Sequence, residues 1–430
     1  MRTLFIVLVA LILAAAVHAQ PIFDYVNAPD PAYEWEMSEQ AMLPTGAQVQ
    51  KLSLTSQVWQ GLTWTHRVQV VTPPQMNNSK TAIMLITGGS PGQGDLMSLS
   101  LVANAASAPL VILGDIPNQP LFDGRTEDEI IAYTFQKYLE TGDETWPLLF
   151  PMTKAAVQCM RAIEEYTASW QQPVENFYVT GASKRGWTTW FTAEVAPEQV
   201  VGIAPMVYDN LNLPAQMEHQ LEAWGDYSQM IDEYTELGLP DLIQTEKGAE
   251  LGAWVDPYTY TERATMPKLV ISGTNDQYWP LDAASFYFDE LPDPKYLLYV
   301  PNSGHGLEDL PRVLNTQVAF YLVCTGALPT PQITWEFEEA ESLQLRMSAD
   351  PTPSNVQIWT AHSETRDFRE AEWSSTDATT TDSGWTGQVE YPDEGYTAIF
   401  GEIVYDVNGR PAYLSTSVKI IGPLDGNNKK

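Results

Sequence analysis

The stretch that most constrains this chain is residues 176–192, Asn-Phe-Tyr-Val-Thr-Gly-Ala-Ser-Lys-Arg-Gly-Trp-Thr-Thr-Trp-Phe-Thr. It reads as a short apolar strand at 177–180, a tight turn holding Ser183, and a helix. A serine thrust out on a sharp strand-to-helix turn requires the strand to lie inside a sheet and the helix to pack back on it. The usual form is Gly-x-Ser-x-Gly, with small residues where helix and strand crowd. Here Arg185 stands in the second glycine's place and Gly186 follows one residue later. We expect the turn to adjust so that the long side chain points away from the strand.

The rest of the chain supplies a sheet for that strand. Residues 20–46, rich in Pro, Asp and Glu, are expected to be an irregular arm. Runs at 48–57 and 64–71, separated by Gln60-Gly61, read as an antiparallel pair. Continuous apolar runs at 82–86, 109–113, 200–207, 268–272 and 296–300 are of the buried parallel type. Amphipathic helical patterns at 127–139 and 153–170 alternate with them. This order predicts an α/β chain with an α/β-hydrolase fold. Residues 209–262 are helical in pattern and crowded with Trp and Tyr, as a lid insertion would be. Helices are expected at 282–291 and 307–324.

After a Pro-rich linker at 327–331 the pattern changes to seven short alternating runs, at 333–337, 343–347, 356–360, 368–373, 387–391, 396–405 and 412–421, with Asn408-Gly409 as a hairpin signal. That count predicts a C-terminal immunoglobulin-like β-sandwich. The expected organisation is a signal peptide at 1–19, a hydrolase domain at 20–328 with its lid at about 209–262, and the sandwich at 332–425.

The leader reading rests on Arg2, an apolar run at 4–17, and Val17-His18-Ala19 before Gln20. The run is shorter than the ~20 residues of a membrane span, so export is expected, to the medium or the periplasm, with no stable membrane insertion. With 22 Lys and Arg against 55 Asp and Glu, the formal net charge is −33. Such a surface repels nucleic acid and anionic membranes. Two cysteines, Cys159 and Cys324, make no disulfide framework, and the fold would place them as separate thiols on opposite faces of the sheet.

A serine hydroxyl needs a base, the base needs an orienting acid, and the developing oxyanion needs fixed donors. In this fold the order along the chain is Ser, acid, His. Asp276 follows the strand at 268–272 in Gly273-Thr274-Asn275-Asp276; Asp209 is the second choice of acid. Of five histidines, His305 alone stands in a glycine-flanked loop after the last buried strand. The candidate catalytic residues are therefore Ser183, Asp276 and His305. The oxyanion site is expected from the N–H of Lys184 and from Gly88, Gly89 or Ser90. Lys184 and Arg185 either meet an anionic substrate group or oxyanion, or pair with a buried carboxylate that holds the turn. Arg185, Trp187 and Trp254 are candidate substrate contacts. There is no zinc signature, P-loop or dinucleotide fingerprint, so no metal and no cofactor is expected.

The string from Thr180 to Trp190, with Ile116-Pro117-Asn118-Gln119-Pro120, Asp256-Pro257-Tyr258, Gly273-Thr274-Asn275-Asp276 with Asp282, and Pro301-Asn302-Ser303-Gly304-His305, resembles the PhoPQ-activated pathogenicity-related proteins over roughly residues 25–425. The resemblance implies an exported protein of α/β-hydrolase fold. It brings no settled substrate, since that family name is regulatory and describes no reaction. Over the elbow alone, the cation after the serine also resembles glucuronoyl esterases. The expectation is an exported serine hydrolase acting on a small-molecule, peptide or carbohydrate ester. The alternatives are a peptidase of prolyl-peptidase type and a non-catalytic binding or signalling protein on the same fold.

Overall fold

The computed structural model describes residues 20–77 and 80–424; the expected leader lies outside the described residues. The chain opens with α1 (Pro21–Asn27), β1 (Glu34–Met42), β2 (Gln48–Trp59), β3 (Leu62–Thr72), β4 (Thr81–Ile86), α2 (Gln93–Ala106), β5 (Leu110–Leu113), α3 (Glu127–Thr141), α4 (Leu149–Thr167), β6 (Asn176–Ala182), α5 (Lys184–Val195) and β7 (Val200–Met206). Four helices follow as an insertion: α6 (Leu213–Trp224), α7 (Asp232–Thr235), α8 (Leu239–Leu242) and α9 (Glu246–Val255). Then come β8 (Lys268–Gly273), β9 (Lys295–Val300) and α10 (Leu310–Cys324). The C-terminal strands are β10 (Gln332–Glu339), β11 (Leu343–Asp350), β12 (Asn355–Ser363), β13 (Ser374–Asp377), β14 (Thr379–Thr381), β15 (Gly384–Val389), β16 (Tyr396–Val407), β17 (Arg410–Ser415) and β18 (Lys419–Ile421).

The fold is mixed α/β. One sheet runs β1-β2-β3-β5-β4-β6-β7-β8-β9, antiparallel from β1 to β5 and parallel from β5 to β9. Strands β5 and β8 are buried along their whole length because helices cover both faces. One face packs the α4 and α5 side chains Phe150, Met160, Trp190 and Phe191; the other packs Leu96 and Ala103 of α2 and Val313 and Phe320 of α10. Cys159 lies in the first of these cores and Cys324 against the second; both are free thiols. Burial pushes the pKa of both well up.

The C-terminal strands are joined to this sheet. Ser415 of β17 pairs antiparallel with Leu297 of β9, so β17-β16-β12-β13, with β18 on β16, prolong it. A second sheet, β10-β11-β15-β14, faces that extension. Leu343, Leu345 and Met347 of β11 meet Val356, Ile358, Ile399 and Ile403 in a core between the two. Phe368, Trp373, Phe400 and Val418 instead join the main α/β core. The two parts of the chain thus share both a sheet and a core.

Several expectations are corrected. The arm at 20–46 is not irregular: α1 packs Ile22 and Val26 into the core, and β1 forms the sheet edge. Strand β1 is mostly exposed, so no apolar alternation marks it. The helix expected at 282–291 is two short 3₁₀ turns, interrupted at Tyr287, where φ is −152° and the buried hydroxyl donates to Asp209 Oδ1 at 2.6 Å. The strand expected at 368–373 is a loop. Phe368 and Trp373 both turn inward although five residues apart, which no strand of period two allows. The expected last run divides into β17 and β18, and β13 and β14 are added, giving nine strands among the described C-terminal residues.

Candidate active site

Ser183 stands at the C-terminal end of β6, in the middle of the sheet, and precedes the first residue of α5. Its backbone is at φ 58° and ψ −127°, a conformation that costs about 1–3 kcal/mol and persists only when the surroundings impose it. The glycines explain how the turn is accommodated. A Cβ on Gly181 would lie 2.6 Å from the Arg185 carbonyl oxygen, and one on Gly186 would lie 2.8 Å from the Met206 carbonyl oxygen of β7. Gly181 lets helix and strand crowd, while Gly186 rather than residue 185 faces the neighbouring strand.

That leaves Arg185 free to run the other way. Its Nε donates to the Ile116 carbonyl at 2.6 Å, and its two terminal nitrogens donate to the two Glu127 oxygens at 2.7 Å each. Its guanidinium lies on Gly88, where any Cβ would overlap it. Lys184 Nζ lies 2.8 Å from both Glu127 and Asp128. Gln119 completes the clamp, donating from Nε2 to Glu127 Oε1 (2.6 Å) and accepting the Glu127 N–H (2.7 Å). Burial alone would raise the Glu127 carboxyl, but hydrogen bonds and charge from Arg185 and Lys184 outweigh it and hold the group at about 2. Both cations are thus committed to carboxylates at the start of α3, and Arg185 is a brace of the turn rather than a free anion contact. Glu127, Asp128 and Gln119 were not singled out from sequence. The acidic opening of α3 and the motif at 116–120 were the available signals.

His305 follows β9, and its Nδ1 faces the Asp276 oxygens at 3.0 and 2.9 Å. Asp276, on the loop after β8, is 5 % exposed and also accepts the Tyr278 N–H at 2.8 Å. A carboxylate accepts and does not donate, so Nδ1 carries a proton, and in the neutral imidazole that leaves the lone pair on Nε2. Nε2 is buried and makes no hydrogen bond among the described residues, to Ser183 or to any other group. The Tyr278 ring packs on the imidazole, centroids 4.0 Å apart. Asp209 is spent elsewhere: it accepts from Tyr287 and from Ser272 (3.3 Å), and burial pushes its carboxyl up to about 7. Of the other histidines, His66 is buried between Ser56 Oγ and the Asp115 carbonyl. His219 meets Asp282 at 2.6 Å; like His305 itself, neither lines the cavity at Ser183.

That cavity, of about 100 Å³, opens beside Ser183 beneath the inserted helices. Its wall is largely apolar, with Phe135, Leu139, Leu239, Leu242, Leu251 and Val255 among its residues. Trp187 lines it too, with Nε1 donating to the Val255 carbonyl (2.6 Å) and its ring stacked on Tyr208 (4.9 Å). Trp254 does not: it packs against Tyr138, ring centroids 5.0 Å apart. Of the expected oxyanion donors, the Lys184 N–H is the first of α5 and has no carbonyl within the helix to bond. Gly89 has open space where a Cβ would stand, whereas Ser90 Oγ is buried without a partner among the described residues. Gly88 has its own reason to be glycine in the guanidinium above it.

Among solved structures the chain is similar to acetyl xylan esterase 1 from a Thermoanaerobacterium species, at 16 % identity and a TM-score of 0.48 over 70 % of this chain and 91 % of that one. It is also similar to an acetyl xylan esterase from Paenibacillus sp. R4, at 13 % identity and a TM-score of 0.47 over 70 % and 91 %. A relative, autocrine proliferation repressor protein A of Dictyostelium discoideum, is 33 % identical over 443 residues, covering 93 % of this chain and 89 % of its own. The family model of the PhoPQ-activated pathogenicity-related proteins matches residues 22–369. The chain belongs to the PhoPQ-activated pathogenicity-related protein family.

Proposed function

We propose that this chain is an exported serine esterase of α/β-hydrolase fold, delivered by the leader at 1–19 and secreted or periplasmic. Its C-terminal strands would form the immunoglobulin-like sandwich. The observation that carries the reading is the His305–Asp276 pair, with Nε2 unbonded, in a fold that sets Ser183 on a strained turn at the end of the central strand. Ser183 Oγ attacks the ester carbonyl while His305 Nε2 takes its proton. The N–H groups of Lys184 and Gly89 receive the oxyanion. As the tetrahedral intermediate collapses, His305 returns the proton to the leaving alcohol, and water then releases the acid from the acyl-enzyme by the same steps. Asp276 orients His305 and stabilises its transient positive charge.

The cavity supports an apolar acyl group. A dry cavity of about 150 Å³ holds a benzene ring, so this smaller one, of about 100 Å³, suits a short acyl chain of roughly four carbons. An anionic group loses its support, because Lys184 and Arg185 are already matched by Glu127 and Asp128. Each buried methylene contributes about 0.8 kcal/mol, so p-nitrophenyl butyrate should exceed the acetate about tenfold in kcat/KM, with Ser183→Ala inactive on both. A folded wild type that cleaves aminoacyl-p-nitroanilides but no ester would make it a peptidase. One that cleaves neither would favour a non-catalytic role.

A further inference from the structure

We propose that the C-terminal region is a working part of the active site: its loop at 364–373, between β12 and β13, positions the acid and base loops through Asn275 and Asn302. The proposal rests on the hydrolase reading above. Asn275, one residue before Asp276, directs Nδ2 at the carbonyls of Phe368 (3.2 Å), Arg369 (3.2 Å) and Ala371 (2.7 Å). Asn302, three residues before His305, forms a reciprocal pair with Trp373, accepting its N–H at 2.7 Å and donating to its carbonyl at 3.0 Å. Asn302 sits at φ 55°, a left-handed position that asparagine tolerates better than most residues. The two loops are also bonded to each other. The Asn275 N–H donates to the Ser303 carbonyl at 2.9 Å, and the Asn302 N–H donates to Thr274 Oγ1 at 2.9 Å.

The C-terminal loop is rigid enough to act as a reference. Phe368 and Trp373 are 2 % and 3 % exposed, and Trp373 packs on Phe400, which packs on Tyr299 of β9, with centroids 5.2 and 5.5 Å apart. The same loop reaches the inserted helices. Arg366 donates to Asp282 Oδ2 at 2.6 Å, the other oxygen of which meets His219 of α6, and the Arg369 guanidinium lies 4.2 Å above the Trp224 ring. Acid loop, base loop and lid are therefore all located against one segment that lies outside the α/β part of the chain. Neither asparagine lines the cavity at Ser183; both are positioning residues. A triad works only when its members are held in reacting geometry, and a displacement of about 1 Å costs roughly 100-fold.

The test uses the full-length chain, with p-nitrophenyl butyrate as substrate. Asn275→Ala and Asn302→Ala should each lower kcat roughly 10- to 100-fold, leave KM within about twofold, and displace the acidic limb of the pH profile of kcat/KM. Trp335→Phe is the control. It removes a bond to Ser417 Oγ (2.9 Å) elsewhere in the C-terminal region, and should lower Tm with kcat and the pH limb unchanged. If the asparagine variants behave as Trp335→Phe does, losing only Tm, the proposal is overturned. Should an alanine variant be insoluble, Asn302→Asp, which keeps the acceptor for the Trp373 N–H and gives up the Nδ2 donor, is judged by the same criteria. An active wild type with normal asparagine variants removes this inference alone. A wild type without hydrolytic activity overturns both readings.

Discussion

The two sides of the candidate site are held by different forces. On the Ser183 side, the two cations that follow the serine are matched by two carboxylates at the start of α3, and the turn is braced by charge. On the acid and base side, the loops carrying Asp276 and His305 are tied by neutral bonds between asparagine amides and backbone groups. Charge supports a strained backbone strongly but depends on pH and on every partner being present. Amide bonds are weaker individually and indifferent to pH. The strain sits at Ser183, and the charged brace is on that side.

Perturbing each side should produce distinct losses. The largest is expected for Asp276→Asn, which keeps the shape but supports the wrong His305 tautomer; kcat should fall about 10⁴-fold with Tm little changed. Glu127→Ala leaves Lys184 with Asp128 and takes from Arg185 the carboxylate it pairs with. Stability should fall by about 1–2 kcal/mol, less than for a fully buried pair because solvent screens the half-exposed Glu127 carboxylate, and kcat/KM roughly 100-fold, with Glu127→Gln intermediate, as measured by thermal unfolding and ester kinetics. The Glu127 pKa is depressed in the folded chain, to about 2 from an ordinary 4.5. Its contribution is therefore complete above about pH 4.5 and lost as the pH falls towards 2. The unfolding free energy of wild type should drop more steeply than that of Glu127→Gln across that window. Gly88→Ala pushes a methyl into the Arg185 guanidinium and should cost about 1–3 kcal/mol, whereas Gly89→Ala meets no atom of the described residues within 4 Å.

The smallest effect on activity is expected for Asp209→Asn, at the acid candidate that His305 does not meet. Its folded pKa is raised to about 7 from 3.8. The folded chain thus holds a proton that the unfolded chain releases, and wild-type stability declines as the pH rises from about 4 to 7. Asp209→Asn should keep near-normal kcat and gain in Tm relative to wild type between pH 5 and pH 8. A loss of activity as large as that of Asp276→Asn would instead make Asp209 the working acid.

Much of this arrangement was legible in the chain. The uninterrupted apolar runs at β4, β7, β8 and β9 could only be buried strands, and they placed Ser183, Asp276 and His305 at strand ends in the order the chemistry needs. What could not be read were partners set by tertiary packing. Lys184 and Arg185 stood out, but Glu127 lies 58 residues from Arg185 and looked like any acidic helix start. Asn275 and Asn302 lay in noted motifs, yet their partners are in a loop that looked like a strand. Trp254 resembled a substrate contact because aromatic content says nothing about which side of a helix faces the serine. Strand β1 and the turns at 283–290 lacked the periodicity on which such reading depends.

The central claim is that Ser183 is an activated nucleophile. It is tested most directly by exposing the full-length protein to a fluorophosphonate and measuring intact mass and the labelled peptide. Wild type should gain one adduct, located on Ser183, and Ser183→Ala none; a well-folded wild type that stays unlabelled, or an adduct that persists in Ser183→Ala, would contradict it.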